Sequence, residues 1–156
     1  MSRNYVFLSI SIALYVLALS LPAANRYIGF ECLVAGWFSL GAGVGFGWLA
    51  NPLMAIAWIG LVSKSATTVL LCSAIATVLM LSTLANPRMV ESTSGDASTI
   101  VHFGPGFWLW LASAISLVVS AVATMSASPS KAAAAARKDR PHQPGDAAKH
   151  ESQLRK

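Results

Sequence analysis

The chain contains very little charge, and most of its length contains none. Of its 156 residues 11% are aspartate, glutamate, lysine or arginine and 55% are hydrophobic, whereas roughly a quarter of an average soluble domain is charged. Charged residues are absent from four stretches: 4–25, 32–63, 65–87 and 103–130. Each stretch is long enough for the roughly 20 apolar residues that carry a helix across a bilayer. The composition therefore disfavours a soluble domain and predicts an integral membrane protein.

Cysteine and histidine are also scarce. Cys32 and Cys72 are too few and too far apart to predict a disulfide framework or a redox motif. His102 is the one histidine that precedes residue 128, and a single imidazole among scattered acidic residues lacks metal-ligand spacing. The predicted spans contain no ionisable group of the kind that marks ion pumps, coupled transporters and haem-binding helices. We therefore predict no catalytic residue, no cofactor-binding residue and no metal site.

The predicted fold class is all-α, a polytopic bundle of four transmembrane helices that occupies residues 1–127. The predicted spans are approximately 5–21, 33–63, 66–85 and 105–127. The first span resembles a signal peptide, but Pro22-Ala23-Ala24 is a poor cleavage site. We therefore expect the first helix to be retained.

The second apolar segment is too long for one straight crossing. As a single helix, residues 33–63 would extend about 46 Å, against a hydrocarbon core of about 30 Å. Asn51-Pro52 is typical of an N-cap followed by proline at the first helical position, and glycines precede it, which lower helix propensity. We predict a broken or kinked helix near residues 41–52. In the alternative, residues 33–50 and 52–63 cross separately, but the second piece would extend only about 18 Å.

Small residues predict close helix packing in two of the spans. Four glycines form two overlapping GxxxG pairs: Gly41, Gly43, Gly45 and Gly47. The fourth span carries a stripe of small residues at i, i+4 spacing: Ala112, Ser116, Ser120 and Thr124. Such faces let backbones approach closely and let hydroxyls bond across helices, so the partner is another span of this chain or another protein. Three tryptophans are predicted interfacial anchors: Trp37, Trp108 and Trp110.

Lysine and arginine predict the orientation. In the four-span arrangement, nine of these residues fall on one side: Arg3, Lys64, Lys131, Arg137, Lys138, Arg140, Lys149, Arg155 and Lys156. Arg26 and Arg88 fall on the other side. Basic residues concentrate in cytoplasmic loops, so we predict a bacterial inner-membrane protein with both termini in the cytoplasm.

The last part of the chain, residues 128–156, combines alanine, proline and charge with almost no apolar bulk. Such a segment cannot bury enough surface to offset the entropy of ordering. We predict a disordered basic cytoplasmic tail, with at most a short helix over residues 131–137. Seven of the eleven basic residues lie in this tail and account for most of the net charge of +5, and we predict no binding of nucleic acid.

Three segments resemble a known group of sequences: Gly36-Trp37 after Cys32, Trp48-Leu49-Ala50-Asn51-Pro52-Leu53 and Gly104-Pro105-Gly106-Phe107-Trp108-Leu109-Trp110-Leu111-Ala112-Ser113. The group consists of small multi-pass bacterial inner-membrane proteins of unassigned function that share a WLANPL segment and a later GxWLWLAS segment. The resemblance covers roughly residues 5–125 and excludes the tail. It implies topology and bacterial origin, and it brings no activity or cofactor.

Three functions follow from these features. The first, which we expect, is a non-catalytic membrane component that packs in the lipid bilayer against other helices, a partner membrane protein or a second copy. The second is a passive channel or small-solute permease with Gly41–Pro52 as its selective element, which needs Asn51 on a water-filled path. The third, a redox or metal-dependent membrane enzyme, needs Cys32, His102 and an acidic residue within a few ångströms of one another.

Overall fold

The computed structural model describes residues 3–25, 27–41, 46–90, 97–100 and 102–138. Within these ranges the chain is mostly helical, as predicted, with five α-helices: α1 (Arg3–Ser20), α2 (Gly29–Gly41), α3 (Ala50–Val62), α4 (Ala66–Ala85) and α5 (Pro105–Lys138). A 3₁₀ helix, Phe46–Leu49, leads directly into α3. The helices form two compact units, residues 1–123 and residues 124–156.

Two helical segments are long and apolar enough to cross a membrane, Ala66–Ala85 and Pro105–Ser126. Two further apolar segments, Tyr5–Ser20 and Phe46–Val62, are shorter. At a rise of 1.5 Å per residue these two would extend about 25 Å, a few ångströms less than an average hydrocarbon core.

The predicted second span is divided in the structure. Helix α2 ends at Gly41 and α3 begins at Ala50, and residues 42–45 between them lie outside the described ranges. The N-cap of α3 is Leu49, which makes no side-chain cap hydrogen bond. Asn51 is therefore an internal residue of α3 and not its N-cap, because the 3₁₀ helix continues into α3 and its backbone occupies the capping positions.

Short strands lie in both connections that were predicted to face outward. Between α1 and α2, β1 (Pro22–Ala24) pairs antiparallel with β2 (Tyr27–Ile28). Between α4 and α5, β3 (Arg88–Val90) pairs antiparallel with β4 (Ala97–Thr99), with Arg88 opposite Thr99. The fold therefore contains a minor β component that the all-α prediction omits, because hairpins of two or three residues carry no clear periodicity.

The core of the first unit lies along α3, α4 and α5. Its largest fully buried apolar side chains are Met54, Val69, Met80 and Leu117, and small residues such as Ala57, Ala76 and Ala114 complete the cluster. A side-chain methyl group at Gly60 would come within 3.2 Å of Val69. The glycine therefore allows the close approach of α3 to α4.

The turn between α3 and α4 closes with a Schellman motif. The backbone N–H of Ser65 donates to Gly60 O at 2.9 Å, and that of Lys64 donates to Leu61 O at 3.3 Å. Lys64 has a φ of 59°, in the left-handed region that normally favours glycine at this position. The motif satisfies the terminal carbonyls of α3 within a very short connection.

The second unit begins at Thr124, inside α5, which continues to Lys138. The helix thus passes the predicted end of the fourth span at residue 127 and includes the short helix expected over residues 131–137. Residues 139–156, the rest of the predicted disordered tail, lie outside the described ranges.

Candidate functional site

Asn51 joins three elements through its side-chain amide. Its Oδ1 accepts a hydrogen bond from Tyr15 Oη on α1 at 3.1 Å and another from Trp110 Nε1 on α5 at 3.0 Å. Its Nδ2 donates to the carbonyl of Trp48 in the 3₁₀ helix at 3.0 Å. The most polar side chain of the apolar segments is therefore a bridge between α1, α3 and α5.

A second group of bonds joins the same helices around two fully buried serines. Ser113 Oγ donates to Ser11 O at 2.9 Å, and Ser11 Oγ lies 3.1 Å from Ser113 O and 3.1 Å from Ser113 Oγ. Trp58 Nε1 donates to Ser11 Oγ at 2.9 Å. In the absence of surrounding water, such bonds are the means by which polar groups hold helices together.

These two groups of hydrogen-bonded side chains form one line, which we call the polar seam: Ser11, Tyr15, Asn51, Trp58, Trp110 and Ser113. Each helix contributes two members at a helical spacing, i, i+4 on α1, i, i+7 on α3 and i, i+3 on α5, so both members face the same way. The rings of Tyr15 and Trp58 also meet edge to face, with centroids 5.2 Å apart. The seam therefore sets the register of α1 against α3 and α5.

Next to Asn51 lies a cavity of about 120 Å³, which we call the end cavity. Its walls come from the end of α1, α2, the start of α3, the end of α4 and the start of α5: Ala18, Leu19, Ala23, Ala24, Gly29, Cys32, Leu33, Gly36, Gly47, Trp48, Asn51, Thr83, Ile100, Phe103, Gly106, Phe107 and Trp110. Every one of these residues is buried or half-buried, and none has a carboxylate, ammonium, guanidinium or imidazole group. The end cavity is thus an uncharged, partly open space.

Trp48 forms one wall of the end cavity because α2 presents a glycine to it. A methyl group at Gly36 would overlap the Trp48 indole. The indole Nε1 donates to Leu33 O at 2.7 Å, and its ring meets Trp37 edge to face at 5.1 Å. Gly47 allows a similarly close contact with α4 at the neighbouring wall, because a methyl group there would overlap Thr83 Oγ1.

Residues 23–25 and 102–104, from the two predicted outer loops, bond to each other and line one side of the end cavity. Asn25 N donates to His102 O at 2.8 Å, His102 N donates to Asn25 Oδ1 at 3.2 Å, and Gly104 N donates to Ala23 O at 3.0 Å. Ala24 and Phe103 form an antiparallel bridge between the loops. Asn25 has a φ of 50°, which asparagine tolerates better than most residues. We call this pair of loops the cap.

Cys32 lies at the edge of the end cavity, just before the predicted second span. Burial, and secondarily the neighbouring Glu31 carboxylate, raises the pKa of the Cys32 thiol to about 11, against an ordinary 9.0. Since the thiolate is the reactive form, this thiol is poorly suited to nucleophilic or exchange chemistry at neutral pH. Cys32 and Cys72 are both free thiols.

The predicted packing residues fall in different surroundings. Gly41 is the last residue of α2, Gly43 and Gly45 lie outside the described ranges, and Gly47 is buried against α4. On α5, Ser120 is fully buried, whereas Ala112, Ser116 and Thr124 are half-buried. The residues of α5 that face the core, including Ser113, Ala114, Leu117 and Ala121, lie beside the predicted stripe.

The predicted anchors differ from one another. Trp37 is 63% exposed and Trp108 is 52% exposed, whereas Trp110 is half-buried and belongs to the polar seam. Sequence analysis named Asn51 but missed its partners on α1 and α5. The spacing of Ser11 and Tyr15 on α1 is a weak signal of a polar face, but nothing in the sequence says which helix that face meets.

The acidic residues and the histidine that a metal or redox enzyme would use lie in different surroundings. In the part of the chain that the structure describes, no three histidine, cysteine, aspartate or glutamate residues are close enough to hold a metal ion. Glu31 accepts a hydrogen bond from Ile28 N at 3.0 Å, and the His102 side chain is exposed. Glu91 and Asp96 lie outside the described ranges.

No family model, curated protein or solved structure matches this chain. Its proposed function therefore rests on the seam, the cavity and the surface of the helices.

Proposed function

We propose that this chain is a non-catalytic, four-pass component of a bacterial inner membrane, with both termini in the cytoplasm, that acts by packing its helices against one another and against a partner protein or a second copy. The observation that carries the proposal is the distribution of polarity. Hydroxyl and amide groups face inward along the polar seam, while aliphatic side chains face outward on α1, α3, α4 and α5.

Exposed aliphatic residues occur on each of these helices. More than half of the side-chain surface is exposed at Val16, Ile59, Leu71, Val78 and Val119. A soluble monomer rarely exposes contiguous apolar areas of more than a few hundred Å², whereas lipid is a favourable solvent for such a surface. The same surface gives the helices little amphipathic character, which is typical of membrane spans.

The two shorter apolar segments also belong to the proposed set of crossings. Tyr5–Ser20 is bonded to α5 at Ser11 and to α3 at Tyr15, so α1 runs beside α5, which is long enough to span. Phe46–Val62 is joined to α4 by the Lys64 turn. A span a few ångströms too short is accommodated by local thinning of the bilayer at a modest cost.

The packing role is supported by apolar surface on α2 that the rest of the chain leaves exposed. Phe30, Val34 and Trp37, at i, i+4 and i+7 of α2, are 55%, 49% and 63% exposed. They lie on one helical face. We propose this face, together with the exposed Phe46, as the contact for another transmembrane helix.

The alternative function, a passive channel or small-solute permease at Gly41–Pro52, has weaker support. Asn51 does line the end cavity. Its carbonyl oxygen is already bonded twice, however, and the interior beyond it along α3 contains the fully buried Met54, Met80 and Leu117. A conducting path would have to displace these side chains.

The proposal is tested by purification of the full chain from native membranes into lipid nanodiscs. A stoichiometric membrane-protein partner, or a homo-oligomer, is expected, and Trp37→Ser should weaken the association. Trp108→Ser is the matched control, since it removes another exposed tryptophan far from the α2 face in sequence. A strictly monomeric chain with solute flux in sealed vesicles would contradict the packing role and favour the channel.

The crossing number is tested separately by labelling of single cysteines from the two sides of sealed vesicles, in a chain from which Cys32 and Cys72 have been removed. Cysteines introduced at Lys64 and after residue 139 should be labelled from the same side, and one introduced at Arg26 from the other. Labelling of the first two from opposite sides would rule out four crossings.

A further inference from the structure

The end cavity has the size of a binding site for a small ring or a short length of hydrocarbon chain. Its volume is about 120 Å³, close to the roughly 150 Å³ apolar cavity that binds benzene in an engineered soluble protein. None of its lining residues is exposed, and the space itself is open on part of its boundary. A partly open, mostly apolar space of this size is accessible to a small apolar ligand.

The lining determines the chemical class of the occupant. The walls are aliphatic and aromatic, with Trp48, Phe103, Phe107 and Trp110 among them, and they offer no charged group. A charged ligand would lose its hydration without an ion-pair partner, at a cost of several kcal/mol. The occupant is therefore uncharged and mostly apolar.

One polar donor at the cavity has remaining hydrogen-bonding capacity. A side-chain amide has two N–H hydrogens and a carbonyl oxygen with two lone pairs. Asn51 uses both lone pairs for Tyr15 and Trp110 and one N–H for Trp48 O. Among the described residues the second N–H of Asn51 has no acceptor. A ligand that forms a hydrogen bond with this N–H must therefore supply an acceptor oxygen rather than a donor.

The geometry points to the end cavity as a binding site for an uncharged lipid-derived group, about the size of one six-membered ring, with a carbonyl oxygen that accepts from Asn51 Nδ2. Two kinds of membrane lipid supply this chemistry, the ester carbonyl of an acyl chain and the ketone of a ring lipid. The site rests on the proposed membrane location, which supplies the ligand, and is independent of the number of crossings and of any protein partner.

Two brominated probes test the site by their quenching of tryptophan fluorescence. 4-Bromoacetophenone carries the carbonyl, and 1-bromo-4-ethylbenzene is its analogue without one. The protein is the full chain with Trp37→Phe and Trp108→Phe, which removes the two exposed indoles. It leaves Trp48 and Trp110 in the cavity wall and Trp58 in the polar seam, whose emission is the unquenched background. Saturable quenching is expected, with the ketone bound about fivefold more tightly, the usual worth of one neutral hydrogen bond.

Variants then assign the binding to this cavity. Cys32→Phe should fill the space and abolish saturable quenching, whereas Cys32→Ala, the matched control at the same position, should preserve it. If the larger side chain prevents folding, competition by unbrominated acetophenone on the parent protein provides the same test. Quenching that rises without saturation and is equal in the two variants would overturn the site.

The role of Asn51 is tested by the ratio of the two probe affinities within one protein, which is insensitive to a lower folded fraction. Asn51→Leu should reduce the ratio from about five to about one. Thr83→Val, which removes another polar group of the cavity wall, should leave the ratio unchanged. Equal affinity of the two probes in the parent protein would overturn the carbonyl assignment.

Competitors identify the source of the ligand. Two competitors are titrated against the brominated ketone: a methyl ester of a short fatty acid, and an alkyl cyclohexenone with a chain of equal length. The stronger competitor indicates whether the natural ligand is an acyl lipid or a ring lipid. Displacement by either supports the site, and displacement by neither overturns it. Flotation of the protein with liposomes tests the membrane location separately from the ligand site. Failure to float contradicts the membrane location, whereas probe binding in detergent still tests the ligand site in the end cavity.

Discussion

The two ends of the first unit are built differently. At the Lys64 turn, α3 and α4 are joined by three residues, and the interior beside them contains the buried Leu61 and Val69. At the capped end, the Trp48 indole packs on Gly36 of α2, and hydrogen bonds join the loops to each other and Asn51 to α1 and α5. The comparison shows that one end of the unit is closed by apolar contacts, whereas the other leaves a cavity bounded by directional hydrogen bonds.

The largest effect is expected from a cavity created in the packed core of α3, α4 and α5. Met54→Ala should lower the free energy of unfolding by about 2–5 kcal/mol, because the fully buried side chain is removed from a tightly packed interior. Denaturation in mixed detergent micelles measures the change. Ala23→Gly, a deletion in the wall of the end cavity, is the comparison, and an equal loss from both would mean that the core and the capped end are packed alike.

The next effect is chemical and concerns Cys32 at the capped end. Burial raises the pKa of its thiol from 9.0 to about 11, so at pH 8 its thiolate fraction and its rate of alkylation should be about a hundredfold below those of an unperturbed thiol. The rate should rise steadily with pH from 8 to 10. Alkylation is followed by mass spectrometry of a Cys72→Ala variant, and a rate that levels off near pH 9 would contradict the burial.

The same shift has a defined sign for stability. The unfolded thiol releases its proton near pH 9 and the folded one only near pH 11, so the free energy of unfolding should fall as the pH rises through this window. Cys32→Ala should remove that part of the pH dependence. A variant whose profile is the same as that of the parent protein would show that the folded and unfolded thiols ionise alike.

A smaller effect is expected at the polar seam. Asn51→Ala should cost about 1–3 kcal/mol, because it leaves Tyr15 Oη and Trp110 Nε1 without their acceptor in a half-buried site. Ser113→Ala should cost less, about 0.6 kcal/mol, the mean for hydrogen bonds between membrane helices. If the order of the two losses were reversed, the serine pair and not Asn51 would be the main link between α1 and α5.

The smallest effect is a gain of stability at the Lys64 turn. Lys64→Gly should raise the free energy of unfolding by less than about 1 kcal/mol, since glycine adopts the φ of 59° without strain. Lys64→Ala keeps the strain and removes the charge, and is the matched control. A gain in both variants would assign the effect to charge and not to the backbone.

Part of this architecture could be predicted from single residues and their order. The charge-free stretches predicted helices over most of the described chain, and the glycine run with Asn51-Pro52 predicted the division between α2 and α3. The assignment of Asn51 as an N-cap failed because the 3₁₀ helix before it is set by contacts of Trp48 and Gly47 with other helices. Local sequence does not contain those contacts.

The amino-acid sequence by itself determined where the apolar helices lie and where they are interrupted, because hydropathy, proline and glycine act within one or two turns of the backbone. The tertiary structure alone decided that Ser11 meets Ser113, that Asn51 collects bonds from α1 and α5, and that two loops bond to each other beside an uncharged cavity. These features depend on the rotation of each helix about its axis and on its partner. Helices that are apolar on nearly all sides have too weak a periodic pattern to specify their rotation or their packing partner.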